Sequence, residues 1–129
     1  MKALLLLTLA ATVPQCCPAI TPAQLDRLIP ALIQVESGGR TTATGDSGNA
    51  VGCLQIWPIM VEDVNRIAGT AYTLPDRLNP VKSVEMARIY FGHYGKQWTL
   101  EQAARHWNSG PNRTTGTDEY WNKIKKELK

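Results

Sequence analysis

A stretch near the N-terminus repeats apolar side chains at the spacing of one helical face and then places a carboxyl group on that face. The repeat consists of Leu25, Leu28, Ile29, Leu32 and Ile33. Glu36 follows three residues after Ile33, so a helix would turn its carboxyl group toward the apolar interior. Desolvation and the negative pole of the helix C-terminus would both raise the pKa of that group. Glu36 is therefore a candidate general acid.

Structural roles for Glu36 stay open beside the catalytic one. An arginine such as Arg40, Arg88 or Arg105 could pair with a carboxylate buried at this position. Alternatively, the side chain could bend toward water where the helix ends. The periodicity alone does not separate these roles from catalysis.

Local signals mark the limits of this helix. Thr21, Pro22 and Gln24 predict an N-cap, a first helical residue and a capping box, in that order. Pro30 lies within the pattern and is expected to kink or break the helix, leaving a second piece that runs to about Ser37. The two glycines that follow predict the end of the helix.

Residues 1–19 have the features of an export signal. Positions 3–13 are an uncharged run of 11 residues (ALLLLTLAATV) behind a lysine, whereas a membrane-spanning helix needs about 20 apolar residues. Cleavage is expected after Ala19, which leaves residues 20–129 as the mature domain. We therefore expect a secreted or periplasmic protein with no stable membrane insertion once the signal is removed.

The expected cleavage determines whether the cysteines can form a disulfide. If Cys16 and Cys17 leave with the signal, Cys53 has no partner for an internal disulfide. Its apolar neighbours favour an inert buried thiol over a nucleophile. A lipid-modified Cys16 or Cys17, or an ordinary buried first helix, remains an alternative to the cleaved signal.

The length fits one domain of mainly α structure. A chain of 129 residues, 43% hydrophobic and 19% charged, can bury a single core. Residues 40–52 are rich in Gly, Thr, Asp and Asn, so a small hairpin or ordered loop is expected within 40–56 and makes the fold α+β at most. Residues 69–79 are expected to be loop. Further helices are predicted at 59–68, 81–94, 100–107 and 118–128.

Charge and ligand chemistry argue against several classes of function. The net charge of +3 is small beside the dense basic patches that nucleic-acid binding needs. The 2 histidines and 3 cysteines show no paired metal-ligand spacing. We therefore expect no nucleic-acid partner, no metal and no other cofactor, and a monomeric protein.

Three sequence blocks occur in order along the chain. They are Glu36-Ser37-Gly38-Gly39, residues 45–58 (GDSGNAVGCLQIWP) and residues 104–111 (ARHWNSGP). Together they resemble the lysozyme-like superfamily, specifically goose-type lysozymes and SLT-type lytic transglycosylases. That pattern is a Glu-Ser pair at a helix end, a Gly-Leu-Met-Gln-like turn and a Tyr-Asn-Ala-Gly-like motif, and the resemblance covers residues 23–126.

The resemblance implies a lysozyme-like fold and cleavage of peptidoglycan. Glu36 matches the catalytic acid, which protonates the glycosidic oxygen between N-acetylmuramic acid and N-acetylglucosamine. Gln55 matches the Gln of the turn lining the sugar cleft, where its amide would donate to and accept from the substrate, although a solvated loop amide is the alternative. Asn108 matches the Asn of the C-terminal motif, and Tyr120 the Tyr that follows it near the cleft.

Two tryptophans are further candidates for substrate binding. Trp57 lies two residues after the Gln of the turn, and Trp107 stands directly before the Asn of the last motif. Both could offer apolar faces to sugar rings. Ordinary core packing explains them equally well.

Asp46 is the second carboxylate that the resemblance matches. Residues 45–49 (GDSGN) resemble the Gly-Asp-x-Gly-Asn stretch of goose-type lysozymes, in which the Asp is a candidate for positioning the attacking water. A further Asp of that family is absent, because Trp57 stands there. Asp46 could equally hold the Gly-rich loop as an Asx-turn residue.

Two reactions therefore compete on one scaffold. An inverting hydrolase would use Glu36 as acid and Asp46 as base, with their carboxyl groups roughly 6.5 to 9.5 Å apart. A lytic transglycosylase needs only Glu36, because the C6 hydroxyl of muramic acid attacks its own anomeric carbon. A function of another class is also open, namely a secreted module that binds cell-wall glycan without cutting it.

Overall fold

The computed structural model describes residues 19–129, so Cys16, Cys17 and all but the last residue of the predicted export signal lie outside the described residues. This part of the chain is mainly α, with one minimal hairpin, as the sequence predicts. The elements in chain order are α1 (Pro22–Ser37), β1 (Thr44–Gly45), β2 (Ala50–Val51), α2 (Pro58–Ala68), α3 (Pro80–Tyr94), α4 (Leu100–Ser109) and α5 (Asp118–Glu127).

The predicted capping box begins α1. The Oγ1 atom of Thr21 accepts a hydrogen bond from the N–H of Gln24 at 3.1 Å, and the Oε1 atom of Gln24 accepts one from the N–H of Thr21 at 2.9 Å. Two donors that the helix cannot satisfy internally are thereby paired.

The predicted break at Pro30 is wrong. One helix of 16 residues runs through it. Pro30 is exposed, so the carbonyl group of Asp26, which loses its helical partner, can be hydrated instead. The apolar residues on both sides of Pro30 pack into the same core, which favours a continuous helix.

The hairpin lies within the predicted segment. Thr44 pairs with Val51 and Gly45 with Ala50 in an antiparallel register. A bridge between Val51 and Ile56 then closes the turn that leads to α2.

A buried arginine fastens the hairpin to the rest of the fold. Arg77 lies in a 3-10 turn over Leu74–Leu78, within the segment that the sequence assigned to loop. Its Nη1 atom donates to the carbonyl oxygens of Asn49 and Ile56, each at 3.0 Å, and its Nε atom donates to that of Leu74 at 2.9 Å. The hairpin region is therefore held by a charged side chain that no apolar repeat in the sequence predicts.

The core is aliphatic on the α1 side and aromatic on the α3 and α4 sides. Leu28 and Leu32 of α1 are fully buried, and the ring of Trp107 meets that of Tyr90 edge to face with centroids 5.6 Å apart. Cys53 is buried in the same core, and burial raises the pKa of its thiol, in agreement with the predicted inert cysteine. No helix within residues 19–129 combines the length and apolarity needed to cross a bilayer.

Candidate active site

Glu36 lies one residue before the end of α1, where the helix meets the hairpin region. Gly38 ends the helix in the left-handed conformation, with a φ angle of 64°, and its N–H donates to the carbonyl group of Gln34 at 3.0 Å. The side chain of Glu36 is half-buried and faces a cleft. The apolar repeat of α1 thus brings a carboxyl group to the boundary between core and cleft.

The cleft has a volume of about 730 Å³. Its walls come from the end of α1, the hairpin and its turn, α2, α3, and the end of α4 with the loop that follows. Tyr120 reaches it through a hydrogen bond to Glu36. The other residues nominated from sequence all line it, namely Glu36, Asp46, Gln55, Trp57, Trp107 and Asn108.

The environment of Glu36 favours a protonated carboxyl group. Burial raises its pKa, a hydrogen bond from Tyr120 opposes the rise, and the negative charge of Asp46 adds to it. The Tyr120 hydroxyl donates to Oε1 of Glu36 at 2.7 Å. Burial and the neighbouring charge of Glu36 raise the pKa of Tyr120 as well, so this hydroxyl remains a donor. Glu36 therefore keeps its proton to a higher pH than an ordinary glutamate, as a general acid requires.

The arginines that were alternatives for Glu36 bind elsewhere. Arg40 donates to a backbone carbonyl at the end of α1, and Arg88 pairs with an aspartate of α1. Arg105 pairs with carboxylates at the starts of α4 and α5. The ion-pair interpretation of Glu36 is therefore wrong for these three arginines.

Arg105 stabilises the start of the helix that carries Tyr120. Its Nη1 atom donates to Oγ1 of the buried Thr117 at 3.0 Å, directly before α5 begins. Tyr120 is in the first turn of α5. The Arg105 contact therefore fixes the start of the helix that delivers the Tyr120 hydroxyl to Glu36.

Ser37 ties the end of α1 to the turn beside it. Its hydroxyl lies 2.8 Å from the carbonyl oxygen of Cys53 and 3.1 Å from that of Ile33. The hydroxyl oxygen of Ser37 also accepts a hydrogen bond from the N–H of Gly39 at 3.1 Å. This buried side chain holds Glu36 in a fixed relation to the turn that carries Gln55.

Gln55 lines the cleft, but its amide is committed to the protein. The Nε2 atom donates to the carbonyl oxygens of Ala43 and Gly52, each at 3.0 Å. The backbone of Gln55 has a φ angle of 51°, in the left-handed region. Both amide hydrogens thus brace the turn, in contrast to the expectation that the amide donates to substrate. Acceptance through Oε1 is the role that this geometry leaves for substrate.

Asp46 is an exposed carboxylate at the rim of the cleft. The tight turn that it begins is held through its backbone carbonyl, which accepts from the N–H and the Nδ2 of Asn49 at 3.2 and 3.1 Å. The φ angles of Asp46 and Ser47, 48° and 58°, are both left-handed. Within the described residues the turn therefore does not depend on the carboxylate, which faces the cleft.

The two tryptophans differ in their exposure. Trp57 is 43% exposed at the N-terminus of α2 and lines the cleft. Trp107 is 9% exposed and packs on Tyr90 and Phe91, so most of this ring belongs to the core. Asn108, the next residue, is exposed near the end of α4.

One wall of the cleft carries residues that the sequence motifs do not predict. It is formed by Ile59, Met60, Glu62, Asp63 and Arg66 of α2 with Tyr90 and Tyr94 of α3. The positions of Ile59, Asp63 and Arg66 follow the spacing of one helical face, a signal that the matched motifs do not include. Within residues 19–129 no group of three or more His, Cys, Asp or Glu side chains is arranged to hold a metal ion.

Comparison with known families gives one finding. The sequence model described as the transglycosylase SLT domain matches residues 20–128, which is nearly the whole of the described chain. No curated protein and no solved structure gives a match.

Proposed function

The chain belongs to the transglycosylase SLT domain family, and from this we propose that it cleaves peptidoglycan at the β-1,4 bond between N-acetylmuramic acid and N-acetylglucosamine. Glu36 is the general acid. The observation that carries the assignment is a half-buried carboxyl group in a cleft wall, with a raised pKa and one hydrogen bond from Tyr120. Such a group is protonated when the substrate arrives.

The first step breaks the glycosidic bond. Glu36 gives its proton to the bridging oxygen, which leaves as the C4 hydroxyl of N-acetylglucosamine, while positive charge develops at C1 of the muramic acid. The Glu36 carboxylate that results then takes the proton of the C6 hydroxyl, and that oxygen bonds to C1. The products are a 1,6-anhydro end and a protonated Glu36, so the enzyme returns to its starting state.

Tyr120 supports both halves of this cycle. Its hydroxyl stabilises the carboxylate form of Glu36 and so limits the rise in pKa that burial causes. It also holds one carboxyl oxygen, Oε1, which leaves Oε2 for proton transfer. A fixed orientation of the acid shortens the approach to the reacting geometry.

Hydrolysis is the second candidate reaction, and the position of the Asp46 carboxylate favours it. Its exposed carboxylate lines the same cleft and is near enough to Glu36 to raise the pKa of that residue. In this route Asp46 activates a water molecule, which attacks C1 in place of the C6 hydroxyl.

We also propose that the protein acts outside the cytoplasm, where its proposed substrate lies. Peptidoglycan lies in the periplasm or the extracellular space, and the apolar run at residues 3–13 supports export. We therefore propose a secreted or periplasmic enzyme that acts as a monomer on glycan strands.

Mass spectrometry of peptidoglycan digested by the purified protein tests the proposal. Fragments with 1,6-anhydro ends support transglycosylation, whereas hydrated reducing ends support the hydrolytic route with Asp46. Binding to peptidoglycan without release of either fragment would instead indicate a glycan-binding module and overturn the enzymatic assignment.

A further inference from the structure

The cleft wall built by α2 changes character along its length. Near the hairpin it presents Ile59 and Met60, and farther along it presents Asp63 and Arg66. Because an α-helix rises 1.5 Å per residue, Arg66 lies about 10 Å along the axis from Ile59. That displacement is comparable to the length of a disaccharide, so the charged end of the wall faces a different part of a glycan from the apolar end.

Arg66 is held at that end by a small hydrogen-bonded group. One oxygen of the Asp63 carboxylate accepts from Arg66, and the other accepts from the hydroxyl of Tyr94. Burial alone would raise the pKa of Asp63, but these two hydrogen bonds, together with the positive charges of Arg66 and His93, outweigh burial and lower the pKa below the usual range. Asp63 is therefore charged, and it fixes one side of the guanidinium group.

The other side of the guanidinium group is open. The side chain of Arg66 is 64% exposed, although it lines the cleft. A guanidinium group carries five N–H donors in a fork that matches a carboxylate, and the contact with Asp63 uses only part of them. Arg66 can therefore accept a second anion without losing its first partner.

Arg66 carries the only positive charge among the described residues that line the cleft. The other charged side chains there are the carboxylates of Asp46, Glu62 and Asp63, and they lie beside the protonated Glu36. An anionic substituent of a bound polymer would be repelled along most of the cleft and attracted at this position. One cation among carboxylates therefore determines where along the cleft a negative group can lie.

We propose that Arg66, positioned by Asp63 and Tyr94, is a subsite that binds a carboxylate carried by the muramic acid residues of the glycan. This inference rests on the proposed function, because it takes the strand to lie in the same cleft. The carboxylate has two possible sources, the acidic peptide attached to muramic acid or the free lactyl group where no peptide is attached. In either case Arg66 sets the register of the strand relative to Glu36.

Equilibrium binding tests the subsite apart from catalysis. We would measure Kd by calorimetry for the full chain carrying Glu36→Gln, with and without Arg66→Gln, on three kinds of glycan strand. The first bears peptides, the second has had its peptides removed and carries free lactyl carboxylates, and the third has those carboxylates converted to methylamides. Arg88→Gln is the matched control, because Arg88 also pairs with an aspartate but lies outside the cleft.

The account predicts that Arg66→Gln weakens binding about tenfold for at least one kind of carboxylate-bearing strand, the size expected for a charge-assisted pair. The kind that loses affinity identifies the source of the carboxylate. Binding of the methylamide strand should not change, and Arg88→Gln should change none of the three.

Two further variants separate recognition from structure. Arg66→Lys keeps the charge but not the fork and should lose less affinity than Arg66→Gln, with the same dependence on the strand. Tyr94→Phe frees one oxygen of Asp63 and should show a smaller loss of the same selectivity.

Equal losses of affinity on all three strands, or no loss on any, would overturn the subsite. Failure of the proposed function would look different. In that case the wild-type protein releases no fragments from peptidoglycan, whatever the binding experiment shows.

Discussion

The hydroxyl group of Tyr120 donates a 2.7 Å hydrogen bond to the carboxyl group of Glu36, across 84 residues of sequence. The contact joins the first turn of α5 to the end of α1. It acts on the pKa of Glu36 in the direction opposite to burial and to the charge of Asp46. The pH dependence of the enzyme should therefore respond in opposite directions to changes at Tyr120 and at Asp46.

Replacing Tyr120 with Phe should move the alkaline limb of activity to higher pH. The variant removes a hydrogen bond that favours the carboxylate form of Glu36. The pKa of Glu36 therefore rises, and the acid stays protonated to a higher pH. The measurement is the pH profile of initial rates on soluble glycan strands. Tyr72→Phe is the control, because that hydroxyl bonds Glu85 outside the cleft. An alkaline limb that stays in place or moves to lower pH would contradict this reading of the contact.

Replacing Asp46 with Asn should move the same limb to lower pH. The variant removes a negative charge that raises the pKa of Glu36, so the acid loses its proton earlier. If transglycosylation is the reaction, the rate at acidic pH should remain within about threefold of the wild type, whereas loss of an essential base costs about 10²-fold or more. Asp26→Asn, on the exposed side of α1, is the matched control. A large loss at every pH would favour the hydrolytic route.

Replacing Glu36 with Gln should stabilise the fold at neutral pH. A carboxyl group whose pKa is higher in the folded state contributes fully below its unfolded pKa of about 4.3 and loses that contribution as pH rises. The neutral amide avoids the loss and can still accept from Tyr120. Thermal unfolding should therefore give a higher Tm for the variant at about pH 7 and no gain at about pH 3.5. A lower Tm at neutral pH would mean that the carboxylate stabilises the fold.

Replacing Gly52 with Ala should disrupt the hairpin. A Cβ atom there would lie 1.9 Å from the carbonyl oxygen of Arg77, and the φ angle is 87°. The expected cost is more than about 3 kcal/mol in the free energy of unfolding, measured by denaturant titration. Gly69→Ala is the control, because it shares the left-handed backbone but meets no atom within 4 Å. It should cost only about 1–2 kcal/mol, and equal costs at both sites would refute the clash.

Local signals in the sequence predict the helices well, because caps and apolar spacing act over a few residues. The capping box at Thr21 and Gln24 is one example, and the orientation of Glu36 is another. The break expected at Pro30 fails because the cost of a proline depends on whether the freed carbonyl group is hydrated, which only the exposure of that face determines.

Long-range polar contacts are what the sequence does not reveal. Arg77 holds three backbone carbonyl oxygens, and no periodic pattern marks a side chain that binds main chain. The same holds for the hydroxyl of Tyr94 on Asp63 and for the commitment of the Gln55 amide to its own turn. Each depends on how separate elements pack, so the sequence yields candidates for the cleft but not their hydrogen bonds.

The most direct test of Glu36 as general acid is the rate at which purified peptidoglycan is converted to soluble fragments by the Glu36→Gln protein. The account predicts a loss of about 10²-fold or more relative to wild type, the usual contribution of a general acid. Circular dichroism should show a folded variant, and Glu85→Gln, outside the cleft, should keep the wild-type rate. The assignment would be contradicted by a folded Glu36→Gln protein that releases fragments at a tenth of the wild-type rate or faster. Such a rate would mean that the substitution raises the activation free energy by roughly 1.4 kcal/mol or less.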